Sequence, residues 1–439
     1  MRGLTSTIAA AVILAALVGY IYFVDAKRPP GGAEEKAKAF AAVEAEKIEE
    51  IRVARADGEA ARLVRGTGGW ELVEPVKTDA DAAEVNSITS SLGSLEIQRV
   101  VDEAPADLAQ YGLDPPRVDV AFRLQGDDDF RHLLIGEKTP TGGDMYARLQ
   151  DGTRVFLVAS YLDTTFNRTP FDLRDKRVLR FDRDKADSLE ITAGGSTLRL
   201  AKKGDAWWIT EPVTARGDFG AIEALVTRLN SVQMQRIVEP EPKNLREYGL
   251  ARPAITATVG AGSSRATLAL GEVEGGAVYA KDAARPMVVA LEESLAGELK
   301  KTAGDLRRKD VFDFRSYNAS RIEIARGDRT LVFEKTKDKD GNEIWRNAAG
   351  QNADTAEVDD VLNRFSNMRA ASFQQARPAG LEASEVSVTV TFDEGRTETV
   401  HFAKAGDGVF ANRPDEPGYA AIESTPYEDA IKALDALES

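Results

Sequence analysis

A single offset of about 137 residues runs through most of this chain, and it constrains the fold more than any composition figure. Trp70 in GGWELVEPV, Trp208 in AWWITEPV and Trp345 in EIWRNA lie 138 and 137 residues apart. VDEAPADLAQYGL, ending at Leu113, matches VEPEPKNLREYGL, ending at Leu250, at an offset of 137. LLIGE around Gly136 matches LALGE around Gly271, and FDLRDKRVLRFD from Phe171 matches GDLRRKDVFDF from Gly304. Chance does not sustain one offset over about a hundred residues, so the sequence predicts tandem modules. Their expected bounds are 48–182, 183–317 and a diverged third copy, 318–439. A chain of 439 residues accommodates several domains of about 100 to 200 residues each.

Each module opens on an alternating segment: IEEIRVARADGEAARLV at 48, SLEITAGGSTLRLAKK at 188 and RIEIARGDRTLVFEKT at 321. Alternation marks strands with one wet face, and the Gly-containing breaks mark hairpins. An amphipathic helix follows each Trp, with Val85, Ile88, Leu92 and Leu95 on one face in the first copy and Ile222, Leu225, Val226 and Leu229 in the second. Asp79, Asp218 and Asp354 precede these helices and are the expected N-caps. The predicted order is three strands ending at the Trp, the helix, a strand, the Gly-Leu turn, four strands and a closing helical segment. Short connections favour antiparallel hairpins, so the predicted class is α+β, each module being a mainly antiparallel sheet with packed helices. In the third copy Tyr-Gly-Leu becomes Ala379, Gly380 and Leu381, and the Gly-Glu pair is read as Ala405 and Gly406. YEDAIKALDAL closes the chain as a helix able to cap the modules.

The N-terminus differs in kind. Thr5 to Val24 carries no charge over 20 residues, enough at about 1.5 Å per residue to cross a bilayer core of about 30 Å. Residues 1–28 are therefore expected to be a transmembrane anchor, with Tyr20, Tyr22 and Phe23 at an interface and Arg2, Lys27 and Arg28 flanking it. A cleaved signal peptide is the competing reading, and the apolar run is longer than the usual 7 to 15 residues. PPGG at 29–32 and the charged, Ala-rich stretch to residue 47 read as a tether. The whole chain carries a net charge of −15, which disfavours nucleic acid as a partner. It contains no cysteine and two histidines, His132 and His401, so disulfides, thiolate chemistry and Cys zinc sites are excluded. An acidic, cysteine-free body behind such a span fits an exported domain, with the anchor in the inner membrane and the body in the periplasm.

Taken together, the single span, the charged tether, a Phe and I-x-x-I strand, Trp followed by Pro, the helix, Tyr-Gly-Leu and Leu-x-[IL]-Gly-Glu resemble the bacterial family called domain of unknown function 4340. The resemblance covers nearly the whole chain after the anchor and is weakest in the third copy. It implies an accessory protein of an envelope system, since members are typically encoded beside an ABC-type ATPase and permease of the gliding-motility-like class. The implied partners are that permease and ATPase, or other envelope proteins. The resemblance carries over no activity, cofactor or site residue.

Most residues with chemical potential have a packing role that accounts for them. The recurring Trp residues read as sheet anchors, Trp207 being an extra one. Tyr111-Gly112 and Tyr248-Gly249 read as turn ends with glycine at positive φ, and Gly136-Glu137 and Gly271-Glu272 as strand ends. Asp127, Asp128 and Asp129 form an acidic tip with too few ligands for calcium, and Asp338, Asp340 and Gly341 fail EF-hand spacing. His132 and His401 alternate with apolar neighbours and are placed on sheet faces. No nucleophile elbow, HExxH or phosphate loop occurs. The basic runs Arg174, Lys176, Arg177 and Arg307, Arg308, Lys309 read as inter-module ion pairs, with a docking surface as the sharper alternative. No catalytic, cofactor-binding or metal-site residue is assigned. The expected function is a non-enzymatic, membrane-tethered scaffold or adaptor of an ABC transporter-type assembly; the alternative is a periplasmic ligand- or polysaccharide-binding protein, or a carboxylate-dependent hydrolase.

Overall fold

Ile48 and Ile51 are both fully buried although they stand three apart in one strand, where residues of odd spacing face opposite sides. A β-bulge between Ile48 and Glu50 resolves the conflict by inserting one extra residue and turning both isoleucines inward. The same irregularity lies at Ala186/Ser188 and Ala319/Arg321, so the I-x-x-I pattern is the signature of a bulged strand that recurs in every copy.

The computed structural model describes residues 37–381 and 383–437. The expected anchor and the first part of the tether lie outside the described residues. The chain divides into two compact units, residues 1–176 and 177–439, the first holding one sheet and the second two.

In the first unit the strands are β1 Ile48–Arg55, β2 Ala60–Gly66, β3 Gly69–Glu74, β4 Thr78–Asp79, β5 Arg99–Asp102, β6 Val118–Leu124, β7 Arg131–Lys138, β8 Asp144–Leu149 and β9 Val155–Ala159, with helix α1 at Ala82–Gly93. They pair in the order β4-β3-β2-β1-β6-β7-β8-β9-β5, and every pair is antiparallel. Helix α1 connects β4 to β5, the two opposite edges, so it must run across one face of the sheet. Laid flat, nine strands would span about 38 Å, whereas α1 is about 18 Å long. The sheet curls around the helix, and one continuous core joins Val85, Ile88 and Leu92 of α1 to Leu72 of β3 and Phe156 and Val158 of β9.

The second unit repeats this plan twice. Strands β10 Ala186–Ala193, β11 Ser196–Lys203, β12 Ala206–Glu211, β13 Ala215–Arg216, β14 Arg236–Glu239, β15 Ile255–Ala261, β16 Ser264–Glu274, β17 Ala277–Asp282 and β18 Val288–Glu292 surround α2 at Phe219–Ser231 in the same order. The third sheet has eight strands, β19 Ala319–Arg326, β20 Arg329–Lys337, β21 Glu343–Asn347, β22 Ala370–Gln374, β23 Val386–Phe392, β24 Arg396–Ala405, β25 Gly408–Asn412 and β26 Tyr419–Ile422, around α3 at Thr355–Ser366. Helix α4, Ser424–Leu437, covers the rest of this core through Tyr427, Ala430 and Leu434. The three antiparallel sheets with inner helices give an α+β fold built from repeated sheet modules.

Three elements of this architecture differ from the sequence reading. The N-cap of α1 is Asp81, which accepts the N–H groups of Ala83 and Glu84, while Asp79 belongs to β4 and pairs with Glu71. Asp218 and Asp354 cap α2 and α3 as expected. The end of the expected tether is also more than a spacer: Ala39, Phe40 and Val43 lie in the first core, and Phe40 meets Phe122 edge-on at 4.9 Å. Ala39 donates to the Leu95 carbonyl just after α1, as Val178 does to Val232 after α2 and Val311 to Met368 after α3. Each sheet is thus entered through a segment that ties down the end of its own helix.

The third difference concerns tryptophan. Cross-strand register pairs Arg65 with Trp70, Lys202 with Trp207 and Lys335 with Trp345. Trp207, not Trp208, is therefore the counterpart of Trp70, and the cations sit 4.9, 5.0 and 5.1 Å from the three rings. The Trp207 indole N–H donates to Glu223 at 2.8 Å and that of Trp345 to Asp359 at 3.0 Å, each acid being the fifth residue of its helix. Burial alone would raise the Glu223 carboxyl, but Trp207 and Lys202 outweigh it and hold it low. In α1 the fifth residue is Asn86, exposed to solvent, and the buried Trp70 N–H has no protein acceptor among the described residues. Asn86→Glu should supply one and raise stability by about 1.5 kcal/mol, measured as a higher urea midpoint; an unchanged midpoint would show that this site does not need the acid.

Candidate functional site

The sharpest concentration of buried charge lies within the second unit, where the second sheet meets the third. Thr302 and Asp305 form a capping box that closes the single turn Ala303–Leu306 and releases the chain as an extended segment. That segment is Arg307-Arg308, held beside β13 by the bond from Arg308 N–H to the Arg216 carbonyl. Extended geometry sends the two guanidinium groups to different partners. Arg307 donates to Glu416 at 2.7 Å and to the Pro417 carbonyl, and stacks 4.2 Å from the Phe373 ring. Arg308 donates to Asp313 at 2.5 Å and reaches Asp310 at 3.4 Å.

Arg216 binds the same acids from the other side, donating to Glu416, to Asp313 at 2.6 Å and to the Asp310 carbonyl at 3.1 Å. Arg413 completes the group, donating to Glu398 at 2.7 Å, to the Val311 carbonyl and to Asp415. Glu398 in turn accepts the backbone N–H groups of Asp313 and Phe314. Four arginines thus meet five carboxylates, and no buried side-chain nitrogen or oxygen among them lacks a partner, the condition under which buried ion pairs hold. Burial would raise the Asp313 carboxyl, but the guanidinium groups of Arg216, Arg308 and Arg413 outweigh it and hold it below the usual value. Burial likewise opposes the charge on Arg413, and its bonds to Asp415 and Glu398 raise its pKa instead. The space left among these groups is about 20 Å³, room for roughly one water and too small for a ligand. The cluster is a joint between sheets.

The other singled-out residues fall where packing puts them. Gly112 and Gly249 take φ of 66° and 68° at the ends of short 3-10 turns, and the preceding Tyr111 and Tyr248 rest on Tyr146 and Tyr279 at ring distances of 5.0 and 5.3 Å. Gly136 and Gly271 lie so near these turns that an added Cβ would sit 2.1 Å from the Tyr111 carbonyl oxygen and 1.9 Å from that of Tyr248. The register of the third sheet pairs Val386 with Phe402, as Val118 pairs with Ile135, so the counterpart of Gly136-Glu137 is Ala403-Lys404 and not Ala405-Gly406. Asp127 pairs with Arg131, and Asp338 folds back on the N–H groups of Asp340 and Asn342 at a hairpin tip. Among the described residues no three His, Asp or Glu side chains gather as metal ligands. His132 faces Asp119 at 3.0 Å across neighbouring strands, half-buried, and His401 lies on the outer face of the third sheet. Arg174 is buried, Lys176 lies 5.8 Å from the Phe171 ring, and the Arg177 carbonyl accepts from Arg285.

Arg307 thus forms an inter-module ion pair with Glu416, as its position in the sequence suggested, while Arg308 pairs with Asp310 and Asp313 of its own stretch. Arg216, Glu398, Arg413 and Glu416 were not legible: Arg216 and Glu416 stand 200 residues apart and no local pattern joins them. Glu416→Ala should leave Arg216 and Arg307 short of a buried partner and cost about 3–5 kcal/mol, read as a shift of the urea midpoint of the full-length protein. Asp313 also predicts a pH dependence. A carboxyl lowered on folding contributes stability above its unfolded value, about 3.9, and loses it as pH falls through the folded value. Asp313→Asn should therefore melt below wild type at neutral pH, and the gap should close as both are acidified; a constant gap would exclude this linkage.

The comparisons agree with the repeat and add little beyond it. None of the functionally described proteins compared with the chain matches it. Among solved structures, the DNA polymerase sliding clamp from Pseudomonas aeruginosa aligns at 10% identity over 87% of this chain and 92% of that one, with a TM-score of 0.16. The DNA polymerase III subunit beta from the same organism aligns at 11% over 86% and 93%, with a TM-score of 0.17. Scores this low carry no inference. The profile of the family described as domain of unknown function (DUF4340) matches twice, over residues 70–208 and 207–385, and its two matches begin on Trp70 and on Trp207, the pair that strand register makes equivalent. With most of its length covered by those two matches, the chain belongs to the DUF4340 family.

Proposed function

We propose that this chain is a membrane-tethered, extracytoplasmic scaffold or adaptor, an accessory subunit of an envelope ABC transporter-type assembly. The reading rests on the uncharged run from Thr5 to Val24, long enough to span a bilayer, in front of a large acidic body. The observation that carries the scaffold part is the buried joint of Arg216, Arg307, Arg308 and Arg413 with their acids. A joint of this kind holds the second and third sheets in one fixed relation, so the body presents a preformed surface and pays little ordering entropy on binding. Tethering at the membrane raises the effective concentration of that surface near integral partners. In this reading the chain's conspicuous residues serve packing: the tryptophans, the Tyr-Gly turns and the arginines all have structural partners.

The test is affinity purification of the full-length protein from detergent-solubilised native membranes, followed by mass spectrometry. An ABC ATPase and its permease should co-purify in stable ratio, and removal of residues 1–28 should weaken recovery of both while the body keeps its melting temperature. Recovery of the protein alone would overturn the assignment and move it to ligand binding or hydrolysis.

A further inference from the structure

The third sheet lacks a piece that its two sisters contain. In the first sheet Tyr111 lies over Tyr146, and in the second Tyr248 lies over Tyr279. Register makes Phe410 the counterpart of both lower rings, since Ala403 pairs with Phe410 where the sisters place Gly136 and Gly271. The upper ring has gone, because Ala379 stands where the sisters have tyrosine, and among the described residues no ring stacks on Phe410.

The turn has moved as well. In the sisters an added Cβ on the turn glycine would lie 2.6 or 2.7 Å from the strand's glutamate side chain, whereas Gly380, at φ 72°, has nothing within 4 Å. The cause is local. Ala403 brings a methyl group to a position where the sisters tolerate no Cβ, so the turn stands off from the strand. A groove of about 520 Å³ opens there, floored by Phe410 and Ala403 and bordered by His401, Asn412, Tyr419 and Arg377. That volume is in the range of about 300–1,000 Å³ typical of ligand pockets, and an aromatic floor with a few polar groups at its rim is their usual composition.

We propose that this groove is a receptor site for an aromatic side chain, a tyrosine presented by a segment of a partner polypeptide. The sister sheets supply the argument for the occupant: in both, the same strands hold a tyrosine delivered on a backbone turn, so the surface is already shaped for that group. Buried aromatic anchors dominate binding at protein interfaces, and a ring seated on Phe410 regains the offset or edge contact the sisters have. Arg377 at the rim favours a carboxylate beside the tyrosine, the arrangement of Glu247 and Tyr248 in the second sheet's own turn. The proposal stands on the third sheet alone and does not depend on the transporter assignment.

The probe is a fluorescein-labelled peptide copying residues 243–252, titrated with full-length protein in detergent and read by polarisation. Saturable binding is expected, at least about tenfold weaker for the same peptide carrying Tyr248→Ala and for the protein carrying Phe410→Ala. The double variant Ala379→Tyr/Ala403→Gly restores the sister arrangement; it should melt no lower than wild type and lose the peptide, because its own tyrosine fills the groove. No saturable binding, equal binding of the two peptides, or undiminished binding by the well-folded double variant would each overturn the proposal.

Discussion

Everything in each module follows from one requirement, that a long antiparallel sheet must cover its apolar face with very little helix. The solution is to run a single helix from one edge strand to the other, so that the sheet curls and closes on it. The chain entering each module then secures the helix's far end, through Ala39, Val178 and Val311. In the first two modules the departing chain secures its start, with Asp81 donating to Leu173 and Asp218 to Leu306. Entry and exit segments are therefore part of the module's mechanics. This is why Ala39, Phe40 and Val43 are packed into the first core, although the composition of their segment suggests a solvated spacer.

The same exit segments explain the placement of the arginines. Arg307 and Arg308 lie on the stretch that leaves the second helix's start and becomes the third sheet's entry, so their side chains have one sheet on each hand. A charged joint is costly to desolvate, and this one offsets the cost by giving Glu416, Asp313 and Glu398 each a donor at a defined point.

The sequence carried the architecture well because periodicity and spacing are local, repeated quantities. Alternation located the strands, the apolar stripes located α1 and α2, and an offset of about 137 residues located the copies. Its errors arose where two equally good local signals competed. Trp207 and Trp208 are adjacent, each with a lysine over its ring, and only strand alternation with the buried Ile209 decides that Trp207 points inward. Asp79 and Asp81 both precede the helix, and the strand pair with Glu71 claims the first. Ala405-Gly406 resembles the lost Gly-Glu pair more than Ala403-Lys404 does, because similarity of letters is blind to register. The joint and the groove were out of reach for a different reason: each depends on side chains brought together from several strands, or on a side chain that is no longer there.

The pairing of β5 with β9 has a wider consequence. Arg99 meets Leu157 with β6, β7 and β8 lying between them in the chain, while every other neighbour in the sheet is a hairpin or the β1–β6 pair. No internal cut leaves all strands with their partners, since a cut between β1 and β6 parts that pair and a cut between β5 and β9 parts the other. A module of this design is indivisible, so growth of the chain by duplication had to copy the whole of it, entry segment to exit segment. The spacing of 137 residues between Leu113 and Leu250 approximates the length of that smallest heritable piece.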